Sequence, residues 1–376
     1  MKKILISLTY YAPHLSGLTL CTKYLAESLA EKFAISVLTT QYQKDLPLNE
    51  TINKVNVVRV PFMARLSKGF FMPSYIFTAI KQVRETELVF VVLPQVEGFL
   101  VAFLAAIMGK KIHCLYVCEV SLSGGIAAKL IEYILRFVNI LTLTLADSVS
   151  TLTDDFAQQN FVLQHFAENV KGIYPIVPEP KIDKTMQADL QKRLPTADYY
   201  IGFLGRMAAE KGIVHLLEAI PLLQKELGDT FKIVLAGPEK TVGEVKYQQQ
   251  VQILLDKYKD YIVQLGELSD ESVGGFYSLL DVFVLPSINN TEAFGMVQVE
   301  AMYCGTPVVA TNLPGVRVPI QKTGMGEIVS PENAQSLAEA ISKIYKNEKA
   351  YIKPKALIAN QFSIEKIVQS YESILR

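Results

Sequence analysis

The sequence has little cysteine, no surplus of charge of either sign and no long unbroken apolar run. Four cysteines in 376 residues, at 21, 114, 118 and 304, cannot supply a disulfide framework. Only Cys114 and Cys118 lie close together, and no second pair answers them for a zinc site. Such sparing use fits a reducing, cytoplasmic compartment. The 37 basic residues are balanced by 37 acidic ones, a formal net charge of zero. A dedicated nucleic-acid binder needs a basic surplus for phosphate contacts, so that class is excluded. No Gly-x-Gly-x-x-Gly follows an early strand, which disfavours a dinucleotide oxidoreductase. No repeat of solenoid or propeller period is present. The opening Met1-Lys-Lys-Ile-Leu-Ile-Ser-Leu8 has an apolar core of about five residues, short of the roughly 7–15 of a secretory leader, and reads as a buried first strand.

What is present points to a large folded α/β protein. Half the residues are hydrophobic and a fifth are charged, which rules out disorder. The length exceeds one ordinary core, so two domains of roughly 150–200 residues are expected. Apolar β-like runs alternate with helical periods. Strands are expected at Ile4–Leu8, Ala34–Thr40, Val55–Val60, Leu88–Leu93 and Lys111–Val117, with helices at Cys21–Phe33 and Gly98–Met108. The pattern restarts with strands at Tyr199–Leu204, Phe231–Ala236, Ile262–Leu265 and Val282–Leu285. Helices at Val214–Glu226, Glu244–Tyr258 and Ser272–Leu280 lie between them. Such alternation gives parallel sheets covered on both faces. Tyr174-Pro-Ile-Val-Pro-Glu-Pro-Lys181 holds three prolines in eight residues and marks a boundary. The expected parts are therefore 1–178, 179–360 and a last helix over 361–376. A ligand belongs in the cleft between two such halves, at the carboxyl ends of their strands.

Two segments bear on membranes. Gly98–Met108 is uncharged but too short to cross a bilayer. Ile126–Leu145 carries Lys129, Glu132 and Arg136 on one face, so it reads as an amphipathic helix. It packs on its own sheet by its apolar side, or it lies on a membrane surface.

The chemistry concentrates in two stretches. In Leu285–Thr311 a strand, a polar loop, a helix, a tight stop at Gly305-Thr-Pro307 and a second strand follow one another. The helix begins near Phe294–Met296, and its first amides form an anion site. Glu292 stands just before it and Glu300 about one turn inside. Two carboxylates beside an anion site suit hydroxyls on either side of it, a sugar and a ribose; an N-cap and an exposed helical Glu are the plainer alternative. In Phe203–Ile213, Gly205 follows a strand and Arg206 and Lys211 lie five residues apart, spaced to meet a diphosphate with a planar fork and a point charge. Thr153-Asp-Asp155 could be a carboxylate metal motif, but a helix N-cap at Thr153 or Asp154 fits better.

Gly205-Arg-x4-Lys-Gly212, then Glu292-Ala-Phe-Gly-Met-x3-Glu-Ala301 about 80 residues later, then Gly305-Thr-Pro-Val-Val-Ala-Thr311, resembles the retaining glycosyltransferases of family four. Tyr10-Tyr-Ala-Pro-His-Leu-Ser-Gly17, Gly237-Pro238, Gly266-Glu-Leu268, Asp281–Ser287 and Leu313-Pro-Gly-Val-Arg317 fall in that family's order, and Phe362–Arg376 is similar to its closing helix. The resemblance implies a GT-B fold: two doubly wound, Rossmann-like domains facing a cleft, with the last helix crossing back to the first domain. It implies a retaining hexosyltransferase that uses a UDP- or GDP-linked sugar and a glycan, lipid-linked or small-molecule acceptor. Arg206 and Lys211 would neutralise the diphosphate. Glu292 would bind the transferred sugar, and with them it makes up the catalytic set. Glu300 would hold the ribose. The amides of Phe294, Gly295 and Met296 would meet sugar and phosphate. Gly205 and Leu268 would border the donor, and Gly17 would admit the phosphates. No cofactor or metal is implied.

The sequence departs from the family at one place. In Leu115-Tyr-Val-Cys-Glu119, Val117 stands where many relatives have a His, and Glu119 where some have an Asp. His113, four positions earlier on the strand, is about 13 Å away and cannot substitute. His14 and Glu119 are therefore the acceptor-side candidates. Ser16 replaces one glycine of the family's pair in the first loop, which narrows backbone freedom there. His165 and His215 read as structural. Two rivals stand beside this reading: a weakly active or inactive GT-B protein serving as a nucleotide-sugar-binding or partner subunit, since Val117 replaces the usual His, and a GT-B epimerase or hydrolase acting on the nucleotide sugar alone. A peripheral membrane contact through the N-terminal domain stays open.

Overall fold

The computed structural model describes residues 1–14, 16–66, 69–121, 125–238 and 244–375, with the side chains of Leu66 and Ala127 left aside. Part of the Leu115–Gly125 stretch, part of the first loop and Arg376 lie outside them. The chain divides into two units, Met1–Ile176 with Ile364–Arg376, and Val177–Ser363.

In the first unit β1 (Lys3–Ser7), β2 (Ala34–Thr40), β3 (Asn49–Ile52), β4 (Val55–Val60), β5 (Ala64–Leu66), β6 (Gly69–Phe71), β7 (Leu88–Leu93), β8 (Lys111–Tyr116), β9 (Ser148–Thr151) and β10 (Val170–Gly172) follow in order. Its helices are α1 (Gly17–Leu29), α2 (Tyr75–Arg84), α3 (Glu97–Ile107), α4 (Ile126–Thr144) and α5 (Asp154–Gln159). Eight strands pair in the order β10-β9-β8-β7-β1-β2-β4-β3, and β5 and β6 form a separate hairpin. All pairs in the large sheet are parallel except β3 with β4. Every residue of Leu88–Leu93 is buried, as expected of a central parallel strand covered on both faces. Because β1 pairs with both β2 and β7, the strand order reverses between β1 and β7.

The second unit holds β11 (Tyr199–Leu204), β12 (Phe231–Ala236), β13 (Ile262–Gly266), β14 (Val282–Leu285), β15 (Val308–Thr311) and β16 (Gly326–Val329) in the order β13-β12-β11-β14-β15-β16, all parallel. Here the order reverses between β11 and β14. Its helices are α6 (Lys184–Arg193), α7 (Ile213–Glu218), α8 (Ile220–Leu227), α9 (Val245–Lys257), α10 (Asp270–Ser278), α11 (Met296–Tyr303), α12 (Val318–Thr323), α13 (Ala334–Lys346), α14 (Glu348–Tyr351) and α15 (Lys355–Gln361). A final helix, α16 (Ile364–Leu375), packs on the first unit: Lys32 Nζ meets Glu372 Oε1 at 2.6 Å, Lys2 Nζ donates to the Leu375 carbonyl at 2.7 Å, and Tyr371 lies against Phe90.

Two expectations need correction. The single helix over Val214–Glu226 is two, α7 and α8, broken at Ala219. Pro221 lacks an amide proton and its ring would strike the carbonyl four residues back, so one helix cannot run through. The other is α4, whose apolar side does not pack on the sheet. Its inner side carries buried Asn139, Thr142 and Leu143, whereas Leu130, Tyr133, Ile134 and Phe137 are 58%, 67%, 51% and 61% exposed. Asn139 faces inward because its Oδ1 accepts a hydrogen bond from the Gln95 amide at 3.3 Å, beside the end of β7. Among the described residues no helix is long and apolar enough to cross a membrane.

Candidate active site

The carboxyl ends of β11 and β14 sit at the second unit's switch point, where an open α/β sheet offers a crevice. The loop after β11 carries Gly205, Arg206 and Lys211, and the loop after β14 carries Glu292 and leads into α11. Three contacts tie the loops together. The Ile288 amide donates to the Glu210 carbonyl at 3.0 Å. Lys211 Nζ pairs with Glu292 Oε2 at 2.6 Å, with side chains 24% and 17% exposed. Gly212 has φ +64° and lies so close to the second loop that a Cβ would fall 2.1 Å from the Pro286 carbonyl oxygen. Only glycine accepts both that conformation and that approach. Gly212→Ala is therefore expected to lower the melting temperature, at a cost of about 1–3 kcal/mol. It should also cut turnover at least about tenfold, because Lys211 is its neighbour. Thermal denaturation and steady-state kinetics would check this, and unchanged turnover would show that the close approach is not needed.

The other cation is held in the same way. Arg206 Nη2 meets Glu210 Oε1 at 2.7 Å, with Glu210 the more buried partner. The Ala209 amide donates to Glu244 Oε2 at 2.7 Å, which fixes the turn between Arg206 and Lys211. Gly237, at the end of β12, approaches Gly205 so closely that a Cβ would lie 2.3 Å from the Gly205 carbonyl oxygen, and its amide donates to the Gly266 carbonyl at 2.8 Å. Leu268, half-buried, stands two residues beyond Gly266. The ends of β11, β12 and β13 thus form one rim.

α11 begins at Met296, with Gly295 as its cap at φ +76°. Its first amides, having no carbonyl one turn earlier, point out of that end and carry the positive end of the helix dipole. Among the described residues no side chain caps it, Glu292 included. Phe294 is a core residue, packed edge-on against Phe362 at 5.8 Å, so only its backbone is available to a ligand. Buried Gln298 donates to the Phe294 and Val316 carbonyls at 2.8 and 3.0 Å, which fixes the entry to the helix. Glu300 lies within α11, not exposed: Tyr277 donates its hydroxyl to Glu300 Oε2 at 2.9 Å. Burial pushes the Glu300 carboxyl up to about 7, opposed by that hydrogen bond.

The acceptor-side candidates fall in the first unit. Ser16 has ordinary extended φ of −154° and caps α1, its Oγ accepting from the Thr19 amide at 3.2 Å, so the missing glycine costs nothing there. Gly17 is the first residue of that helix, with open space where a Cβ would stand. His14 lies tilted against Tyr10, ring centroids 4.5 Å apart, and meets Tyr42 edge-on at 5.4 Å. Tyr10 also meets Phe70 at 5.4 Å. Buried Arg59 secures this loop by donating to the Ala12 carbonyl at 2.7 Å and pairing with Glu50. Glu119 accepts from Asn160 Nδ2 at 2.8 Å and borders a small hollow with Tyr116 and Arg136. Val117 is buried, its amide bonded to the Leu93 carbonyl. His113 is enclosed between the Ser148 and Ser150 hydroxyls at 2.8 Å each, and burial pushes it down to about 3. Thr153 caps α5, accepting from the Phe156 amide. His165 contacts the Phe161 carbonyl and His215 pairs with Glu218.

One residue was missed. Glu97 opens α3 at the first unit's switch point, three residues after Pro94, and accepts from Thr9 Oγ1 at 3.2 Å. Burial holds its carboxyl above the usual range. A lone carboxylate immediately after a fully apolar strand was the available signal.

Residues 187–362 match the family model described as glycosyl transferases group 1. An uncharacterized glycosyltransferase of Methanocaldococcus jannaschii, MJ1607, is 26% identical over 368 residues, spanning 92% of this chain and 89% of that one. Sucrose-phosphate synthase from Thermosynechococcus elongatus superposes with a TM-score of 0.78 at 19% identity, covering 100% of this chain and 98% of its own. Anabaena HepE in complex with UDP and glucose does so with 0.78 and 19%, covering 100% and 99%. The fold is thus of GT-B type, and sequence and fold together support a glycosyltransferase.

Proposed function

We propose that the protein is a retaining hexosyltransferase using a UDP- or GDP-linked sugar. The observation that carries this reading is the Lys211–Glu292 pair across the switch point, beside the start of α11. A diphosphate placed there meets Arg206, Lys211 and the helix N-terminus, three sources of positive potential aimed where the leaving group gains charge. Glu292 accepts from hydroxyls of the transferred sugar, and Glu300 from those of the ribose. The bond from the anomeric carbon to the diphosphate breaks with its electron pair staying on the diphosphate oxygen, while the acceptor oxygen bonds that carbon and gives up its proton to that departing oxygen. On the acceptor side, Glu97, His14 and Tyr42 offer a carboxylate and aromatic faces to a hydroxyl-rich acceptor, whether glycan, lipid-linked or small.

Because two side-chain cations and a helix end supply the positive charge, transfer is proposed to need no divalent metal. The test is a panel of nucleotide sugars, screened first by thermal stabilisation, since a ligand at a hundred times its Kd stabilises by about 2.7 kcal/mol. Turnover is then followed with and without EDTA. Acceptor-dependent release of the nucleoside diphosphate, unchanged by EDTA and with the anomeric configuration kept in the product's NMR spectrum, is the expected result. Donor consumption without an acceptor would overturn the transferase reading, and loss of activity in EDTA would overturn the metal-free one.

A further inference from the structure

Among the described residues of the first unit, none covers the outward face of α4. Ile126, Leu130, Tyr133, Ile134 and Phe137 recur at helical spacing and are all exposed, while polar Asn139 and Thr142 face the sheet. α3 adjoins α4 and α2 adjoins α3, so the three form one layer. The apolar surface continues onto α3 through Phe103 and Ile107, 46% and 64% exposed, and onto α2 through Phe77. Contiguous exposed apolar surface of this extent marks an interaction site.

The charges select the partner. Along α2, α3 and α4 the exposed charged side chains are Lys81, Arg84, Lys129 and Arg136, all basic, whereas the acidic residues of these helices, Glu97 and Glu132, are partly buried. The exposed acids nearest in sequence are Glu85, which caps the end of α2, Glu87 just before β7 and Asp147 just before β9, all at the end of the layer beside the amino ends of the strands. In a chain whose net charge is zero, the exposed charges within the three helices are therefore all positive, with acids only at the layer's one end. On α4, Lys129 and Arg136 flank the stripe along one edge, where their stems can lie on apolar surface and their heads reach outward. A flat layer with an aliphatic and aromatic stripe and a basic border matches an anionic lipid surface, into which the apolar side chains enter while the cations meet headgroups. We propose that α4, with α3 and α2 beside it, seats the protein on an anionic membrane surface.

The test needs neither donor nor acceptor, so it stands apart from the transferase reading. The full chain is sedimented with vesicles of phosphatidylcholine alone and of phosphatidylcholine mixed with phosphatidylglycerol, at low and high salt. Binding to the mixed vesicles only, weakened by salt, is expected. Leu130→Ser/Ile134→Ser/Phe137→Ser should weaken it by more than about a hundredfold, and Lys129→Glu by about tenfold. All these positions face outward, and an unchanged melting temperature would confirm an intact fold. No vesicle binding, equal binding to neutral vesicles, or full binding by the triple variant would overturn the proposal. So would a dimer in light scattering that the triple variant dissociates, because a second copy of the chain would then own this face.

Discussion

Lys211→Ala will lower kcat by about 10²–10³, the usual loss when one group aimed at developing negative charge is removed. Lys211 also has a structural partner, so the loss has two sources to separate. Its Nζ lies 2.6 Å from Glu292 Oε2 in a pair that is mostly buried. Alanine leaves the Glu292 carboxylate without its cation, a cost of about 1–3 kcal/mol in stability. Adding Glu292→Gln removes the stranded charge. The double variant should therefore regain most of the melting temperature but none of the turnover. A double variant that regains turnover along with stability would show that Lys211 only props the loop and that the Glu292 carboxylate is not needed for the sugar.

Glu300 is expected to make nucleoside diphosphate binding depend on pH around neutrality. Its carboxyl is pushed up to about 7 by burial, so it is protonated below that pH and ionised above it. Ribose hydroxyls donate to the ionised form and favour it. Affinity should thus rise with pH and level off above about 7, with a proton released on binding below that. Glu300→Gln should abolish the dependence. Glu300→Ala should weaken binding by about 10- to 100-fold, the worth of a hydrogen bond to a charged group. Isothermal titration in buffers of differing ionisation enthalpy reads both affinity and proton release. A flat profile in the parent chain would remove Glu300 from the ribose site. The stability effect has a definite sign. The folded value lies above the ordinary 4.5, so Glu300's contribution is complete below about 4.5 and is lost as pH rises through about 7. The span is at most about 3 kcal/mol, and it should vanish in Glu300→Gln.

The central strands of both sheets were legible because a strand buried on both faces reads as an unbroken apolar run. Ala34–Thr40, Val55–Val60, Leu88–Leu93, Tyr199–Leu204, Phe231–Ala236 and Val282–Leu285 keep the bounds that their composition predicts. The short strands Asn49–Ile52, Ser148–Thr151, Val170–Gly172 and Gly326–Val329 and the pair β5 and β6 went unseen, since strands of three or four residues, most of them at a sheet's edge, carry no such run. The break between α7 and α8 was readable in principle at Pro221, but the apolar spacing on either side masked it.

The sequence by itself determined the alternation of strands and helices, the order of the motifs and the residue types at the second switch point. These are local: each follows from the period of a segment or from a glycine, proline or cap within it. The tertiary structure alone decided that Lys211 meets Glu292 some 80 residues away, that Glu97 comes to the first switch point, and that α4 leaves its apolar stripe outside. Each of these depends on which strands become neighbours in the sheet. For α4 the periodicity did reveal two faces. Which one faces the protein depends on the neighbouring elements: Asn139 lies inward with the Gln95 amide at the end of β7 as its partner, and the apolar face lies outside.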